Sequence, residues 1–267
     1  MTGGKKNMKK KIFAISDIHN NYNAMRKGLE SAGYDETNPF HLLVVLGDMF
    51  DRKPGDAVAI YEYLKRLTDE GKAIVIRGNH ESMLQSYLDG SSISSFNYIH
   101  NGTDETMADF WHRTAPFESW CALEGNCPLT GETFAKWLKI VQKDINKEYP
   151  ELLPWIKSLP YYYETENYVF THGMIDGQCF DWHNPNISWY ECTWAKPRDF
   201  NNSIVNTDKK VVVGHINCGL LRSLYGYDEN DNSIFERPDG KVIGLDTCTV
   251  LTHKVNVLVL EDEIIED

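Results

Sequence analysis

The chain has 267 residues, 42% hydrophobic and 25% charged, an ordinary globular composition with length enough to bury a sizeable core. Asp and Glu number 39 against 27 Lys and Arg, giving a formal net charge of −12. That excludes a protein whose main task is coating nucleic acid, since phosphate binding needs a net basic footprint.

The six cysteines form no C-x-x-C pair, which excludes a zinc knuckle or dithiol motif and favours reduced structural thiols. No run approaches the ~20 apolar residues of a membrane span. The apolar run after the basic start is too short for a signal peptide, so a cytoplasmic location is expected, with no membrane and no stable nucleic-acid partner.

In chain order, Lys11–Ile15, Leu42–Leu46 and Ala73–Ile76 are short apolar runs, each followed by a polar turn, and read as buried parallel strands. Between them the pattern predicts helices over Tyr22–Ala32 and Asp56–Glu70, each stopped by a glycine, Gly33 and Gly71. The stretch from about 82 to 160 is rich in Trp, Asn and Ser, with a helix over Thr133–Lys147, and reads as a helical insertion in one domain spanning residues 1–267. Strands resume at Tyr161–Glu164, Tyr168–Thr171, Val211–Val213, Lys241–Leu245 and Val255–Leu260, with a hairpin-like Pro238-Asp239-Gly240. The carboxyl-terminal half therefore predicts a second, largely antiparallel sheet packed on the first.

Polar clusters follow the strands: Ser16-Asp17-Ile18-His19, Gly47-Asp48-Met49-Phe50-Asp51-Arg52, Arg77-Gly78-Asn79-His80-Glu81, Thr171-His172-Gly173 and Val213-Gly214-His215. An α/β sheet gathers such clusters at the carboxyl ends of its strands. Asp, His and Asn together offer oxygen and imidazole nitrogen without thiolate, a donor mix suited to Mn²⁺, with Fe or Zn²⁺ also admitted. One ion would take Asp17 and His19, a second Asn79, His172 and His215, with Asp48 bridging. Such a pair clamps a phosphoryl group and activates water for in-line displacement. Gly47, Gly78 and Gly214 each precede a proposed ligand, where a Cβ would crowd the turn.

Taken together, Asp17-x-His19, Gly47-Asp48-x-x-Asp51-Arg52, Gly78-Asn79-His80-Glu81, His172-Gly173 and Gly214-His215 resemble the signature of the phosphoprotein phosphatases, the calcineurin-like group that includes phage lambda phosphatase and the symmetrical diadenosine tetraphosphate hydrolases. The resemblance runs from residue 12 to about 260. It implies a calcineurin-like sandwich of mixed sheets flanked by helices. It also implies Asp17, His19 and Asp48 at one metal, and Asp48, Asn79, His172 and His215 at the other. His80 would be the general acid oriented by Asp51, and Arg52 would hold phosphoryl oxygens. A second phosphate-binding arginine would be Arg198, with Lys196 and Arg222 as rivals. The chain departs from the family at Gly214-His215-Ile216, where Gly-His-Thr is usual, at Asp246-Thr247-Cys248, where Asp-Thr-Gly is usual, and at Lys53, where Gly is common.

His41, His100, His112, His183 and His253 lack motif context and read as structural or surface residues, with His253 kept in reserve for its carboxyl-terminal position. Cys218 and Arg222 are too close for a cysteine-phosphatase loop, and His19 stands where an aspartate-nucleophile motif wants Asp. Phe110, Trp111, Trp120, Trp137 and Trp155 read as the core of the insertion. The expected activity is phosphate monoester hydrolysis on a phosphorylated protein or small phosphoester, of the Ser/Thr phosphatase type. The alternatives are a dinucleoside tetraphosphate or other nucleotide hydrolase and an inactive binding module.

Overall fold

The computed structural model describes residues 8–52, 55–91, 95–111, 131–175, 181–202 and 207–265. Its amino-terminal third alternates as expected: β1 (Met8–Ile15), α1 (Tyr22–Ser31), β2 (His41–Val45), α2 (Ala57–Asp69), β3 (Ala73–Val75) and α3 (Asn79–Leu88). Gly33 and Gly71 end α1 and α2 in the left-handed region, at φ +79° and +66°. The next amides, Tyr34 and Lys72, donate back to the carbonyls of Leu29 and Leu67 and close each last turn.

Helices α4 (Ser95–His100), α5 (Thr103–Trp111), α6 (Gly131–Glu148) and α7 (Leu152–Ser158) follow, then β4 (Tyr162–Glu164) and β5 (Tyr168–Thr171). The chain continues through α8 (Pro185–Trp194), α9 (Pro197–Asn202), β6 (Lys210–Val213), α10 (Cys218–Ser223) and β7 (Phe235–Glu236). It ends with β8 (Val242–Gly244), α11 (Thr249–Thr252) and β9 (Leu258–Ile264).

The first sheet has the order β3-β2-β1-β9 and the second β4-β5-β6-β8-β7. Two expectations are corrected here. The last strand begins at Leu258 and joins the first sheet, antiparallel to β1, where Lys9, Lys10 and Lys11 face Glu263, Asp262 and Glu261. Opposite charges across a strand pair favour that register. The second sheet is not largely antiparallel: β5, β6 and β8 run parallel, and only the outer β4 and β7 are antiparallel. Parallel neighbours need crossovers, which α8, α9 and α10 provide.

Period-two alternation divides the first sheet between two cores. Ile12, Ala14, Leu42 and Val44 face the second sheet's Phe170, Val212 and Ile243, and this apolar layer makes the sandwich. Phe13, Ile15, Leu43 and Val45 face outward into a core shared with α1, α2 and the helices after β3. Phe110, Trp111, Trp137 and Trp155 are buried in that outer core, as expected of structural aromatics, while Trp120 lies outside the described residues.

Candidate metal centre and active-site cleft

The proposed ligands converge because each parallel strand of both sheets ends on the same side. Asp17 follows β1, Asp48 follows β2, Asn79 opens α3 after β3, His172 follows β5 and His215 follows β6. The turns are tight. Gly47 lies at φ +75°, and a Cβ there would stand 2.5 Å from the Gly78 nitrogen; one on Gly78 would stand 2.6 Å from the Asp48 nitrogen. Among the described residues, nine other than glycine have positive φ, and Asp17, His19, Asn20, Asp48, Asp51, Arg52, His215 and Cys248 are eight of them. Such strain persists where surrounding structure enforces it, as it does at functional sites.

Asp48 is the hub. Its carboxylate lies 3.3 Å from His172 Nε2, 3.8 Å from His80 Nε2 and 4.0 Å from His19 Nε2. In each of these rings the other nitrogen is tied down: His172 Nδ1 to the Leu46 carbonyl at 2.7 Å, His19 Nδ1 to the Phe50 carbonyl at 3.0 Å, and His80 Nδ1 to Asp51 Oδ2 at 2.8 Å. Holding Nδ1–H outward aims Nε2 at the centre, the usual arrangement behind a metal-ligating histidine. Glu81, fully buried, accepts from the amides of Asp48 and Gly78 through one oxygen and Met49 through the other, all at 2.8 Å.

Two donor groups share Asp48: His19, Asp48 and His80, and Asp48, His172 and His215. Within each, the potential ligating atoms lie within 4.8 Å of one another. The Asn79 amide lies 3.2 and 3.3 Å from the Asp48 oxygens and 3.0 Å from His215 Nδ1: its nitrogen turned inward donates to them, and its oxygen turned inward joins them as a further donor to a cation. With the oxygen inward, the amide, carboxylate and imidazole donors together fit a metal centre. Asp17 is turned differently, its oxygens accepting from the His215 amide at 3.0 and 3.2 Å and from the Ser16 hydroxyl.

The electrostatics point the same way. Burial, reinforced by Asp246 and Asp48, holds the Asp17 carboxyl well above its usual range. Burial also opposes charge on Asp48, yet the His172 and His80 imidazoles hold it well below the ordinary carboxylate value. His172, although buried, is pushed up to about 10 by Asp48, whereas burial and His172 bring His215 down to about 3. Burial and the neighbouring His80 lower His19 to about 4. Carboxylates thus compete for a few imidazolium protons, the imbalance a divalent cation removes.

A cleft of about 340 Å³ opens above the donors, with Arg52 at its edge and Cys248 to Leu251 as a wall; Leu251 is 77% exposed. A larger hollow of about 650 Å³ beside Tyr161, Tyr162 and Tyr163 holds none of the two metal-donor groups found among the described residues. The structure brings Asp17, His19, Asp48, Asn79, His80 and His215 to the cleft, and His172 and Asp51 lie buried beneath it. Arg198 is not in its lining: it sits on α9, 73% exposed, 3.6 Å from its neighbour Asp199. Its rival Arg222 is engaged by Asp231 at 2.9 Å and by Ser233, and Lys196 is exposed on the loop before α9. Of the spare histidines, His41 accepts from the Asp35 amide, His100 stacks on Phe96 and His183 pairs with Glu164. His253 does not reach the cleft, and His112 lies outside the described residues.

Two residues were missed by sequence reasoning. Asp246 lines the cleft, and burial raises its carboxyl to about 6. Its place after β8, another parallel strand of the second sheet, is the signal that could have found it. Glu81 was visible in its motif, but its role as a bracket for backbone amides needed the fold.

The sequence model of the calcineurin-like phosphoesterase family matches residues 10–245. The fold is similar to a crystal structure of a candidate diadenosine tetraphosphatase, at 14% identity over 97% of this chain and 95% of that one, with a TM-score of 0.54. It is similar also to a cold-active protein tyrosine phosphatase at 17% identity, covering 94% and 73%, TM-score 0.54. The cold-active protein-tyrosine phosphatase of a psychrophilic Shewanella species aligns at 18% identity, covering 94% and 75%, TM-score 0.52. No curated protein matches the sequence significantly.

Proposed function

The chain belongs to the calcineurin-like phosphoesterase family and is a metal-dependent hydrolase of phosphate esters; from that premise we propose that it hydrolyses phosphate monoesters on serine and threonine side chains of proteins. The observation that carries the reading is the cleft itself. Its floor is metal donors, its described lining contains no aromatic residue other than histidine, and Leu251 is presented at its wall. A dinucleotide hydrolase would want aromatic faces to stack two bases, whereas an extended phosphopeptide needs an open approach and one anchored phosphate.

In this reading Asp17, His19 and Asp48 would hold one ion and Asp48, Asn79, His172 and His215 the other, with Mn²⁺ the best match to mixed oxygen and imidazole donors. When bound, the pair polarises the phosphoryl group and lowers the pKa of water. The protein's own groups do the rest. Arg52 offers its guanidinium fork to the phosphoryl oxygens from the cleft edge. His80 presents Nε2 to the cleft while Asp51 retains Nδ1–H, so the ring is oriented to pass a proton to the departing alkoxide as the P–O bond breaks. Although burial opposes its charge, Asp48 and Asp51 raise the His80 pKa, which favours the proton-loaded form.

The test is the purified protein with Mn²⁺, assayed on para-nitrophenyl phosphate, matched phosphoserine and phosphotyrosine peptides, and diadenosine tetraphosphate. The proposal expects the highest kcat/KM among the biological substrates on phosphoserine peptide. A clear preference for diadenosine tetraphosphate or phosphotyrosine would replace it.

A further inference from the structure

We propose that Thr103, the first residue of α5, is a positioning residue for His80, acting through Asp51; this rests on the reading of His80 as proton donor. The Thr103 hydroxyl donates to Asp51 Oδ2 at 2.8 Å, the same oxygen that accepts His80 Nδ1–H at 2.8 Å. All three side chains are buried. Among the described residues the other oxygen of Asp51 is buried without a hydrogen-bond partner, so there the rotation of the carboxylate is set by these two donors. Without the hydroxyl, Asp51 can turn, and the direction of the imidazole turns with it.

The same segment grips the backbone beneath. The Asp51 amide donates to Thr106 Oγ1 at 2.8 Å, the Arg52 amide donates to the Asn101 carbonyl at 3.2 Å, and Asn20 Nδ2 donates to Thr106 Oγ1 at 3.0 Å. Asp51 and Arg52 sit at φ +71° and +74°, which residues with a Cβ hold only when the surroundings enforce it. Gly102 makes the close approach: at φ +78°, its missing Cβ would stand 2.8 Å from the Arg52 Cα. The helical insertion, from about residue 82 to 160, therefore supports the chemistry at His80 as well.

The experiment uses full-length, Mn²⁺-loaded protein carrying Thr103→Val, Thr103→Ser or His80→Asn, assayed on phosphoserine peptide and para-nitrophenyl phosphate. The His80 Nδ1–H proton resonance is recorded on the same variants loaded with diamagnetic Zn²⁺, since Mn²⁺ would broaden it away. Loss of an outer partner of a catalytic group costs roughly 10–100-fold. Thr103→Val should lower kcat on the peptide by about tenfold, with KM unchanged and a much smaller loss on the nitrophenyl ester. It should also shift or broaden the imidazole resonance, and Thr103→Ser should restore both. Equal losses on the two substrates with the resonance unmoved would overturn the proposal. If His80→Asn itself shows equal losses, the acid assignment falls instead, and the resonance alone decides whether Thr103 orients the ring. Should Thr103→Val fail to fold, Thr103→Ala takes its place with the same outcomes.

Discussion

Glu81 and Asp48 are joined through the backbone: Glu81 Oε2 accepts the Asp48 amide at 2.8 Å, so the central carboxylate is aimed by a residue that does not touch the cleft. Glu81→Gln keeps the shape but turns an amide NH2 toward amides that need an acceptor. Leaving a buried donor unsatisfied costs about 1–3 kcal/mol. The variant should unfold at lower temperature, and its Mn²⁺ affinity should drop by roughly 10–100-fold. Calorimetric unfolding and metal titration check both, and wild-type affinity would show that the bracket is not needed to aim Asp48.

Chelation should abolish activity, and Mn²⁺ should restore it better than Mg²⁺, because imidazole nitrogen suits the transition ion. Asp48→Asn should lose the most metal of any single change, since both donor groups contain Asp48. Metal content after dialysis is the measurement. If Asp48→Asn retains more metal than Asp17→Asn, Asp48 does not bridge.

Far from the cleft, Asp262 on β9 ties the two sheets together. It accepts from Thr165 Oγ1 at 2.6 Å, the Asn167 amide at 2.8 Å and Asn167 Nδ2 at 2.6 Å. Burial works against its charge, but the bonds from Thr165 and Asn167 lower its pKa below the ordinary value. A carboxylate with a depressed folded-state pKa contributes stability above its unfolded pKa of about 3.9, and that contribution is lost as the pH falls through the folded value. Asp262→Asn should therefore be less stable at pH 7, by about 1–2 kcal/mol, with the gap closing below about pH 4. Denaturant melts of both proteins from pH 7 to pH 3 measure it, and a gap that stays constant would remove the ionised carboxylate from the explanation.

What the sequence could show follows from how local each feature is. Asp17, Asp48, Asn79, His172 and His215 sit one to three residues beyond short apolar runs, so strand, turn and donor were readable together. The pairing of β9 with β1 joins residues at opposite ends of the chain, and periodicity carries no partner information; only the Lys9 to Lys11 and Glu261 to Glu263 charges hinted at it. Helix α8 escaped because Pro185 to Trp194 lacks a one-sided apolar stripe, and with it went the crossover that makes β5 and β6 parallel. Thr103 was invisible for a related reason: a threonine opening a helix reads as a local helix-start residue, and its partner is Asp51, 52 positions away.

The role assigned to His80 has its own signature in the leaving group. Its Nε2 lies 3.8 Å from Asp48 and faces the cleft, while Nδ1 is held by Asp51. The same position places it in a donor group with His19 and Asp48, so a ligand role and an acid role must be told apart. An acid matters most when the departing alkoxide is basic. A serine alkoxide needs the proton in the transition state, and general acid catalysis is worth roughly 10²–10⁴-fold, whereas nitrophenolate leaves with little help. His80→Asn should keep its metal content, lose rate on phosphoserine peptide by at least about 100-fold, and lose far less on para-nitrophenyl phosphate. Asp51→Asn should follow the same pattern more mildly, because the imidazole remains but its tautomer and orientation are no longer enforced. Loss of an ion in His80→Asn would make it a ligand, and a rate loss independent of leaving-group pKa would make it a substrate-positioning residue.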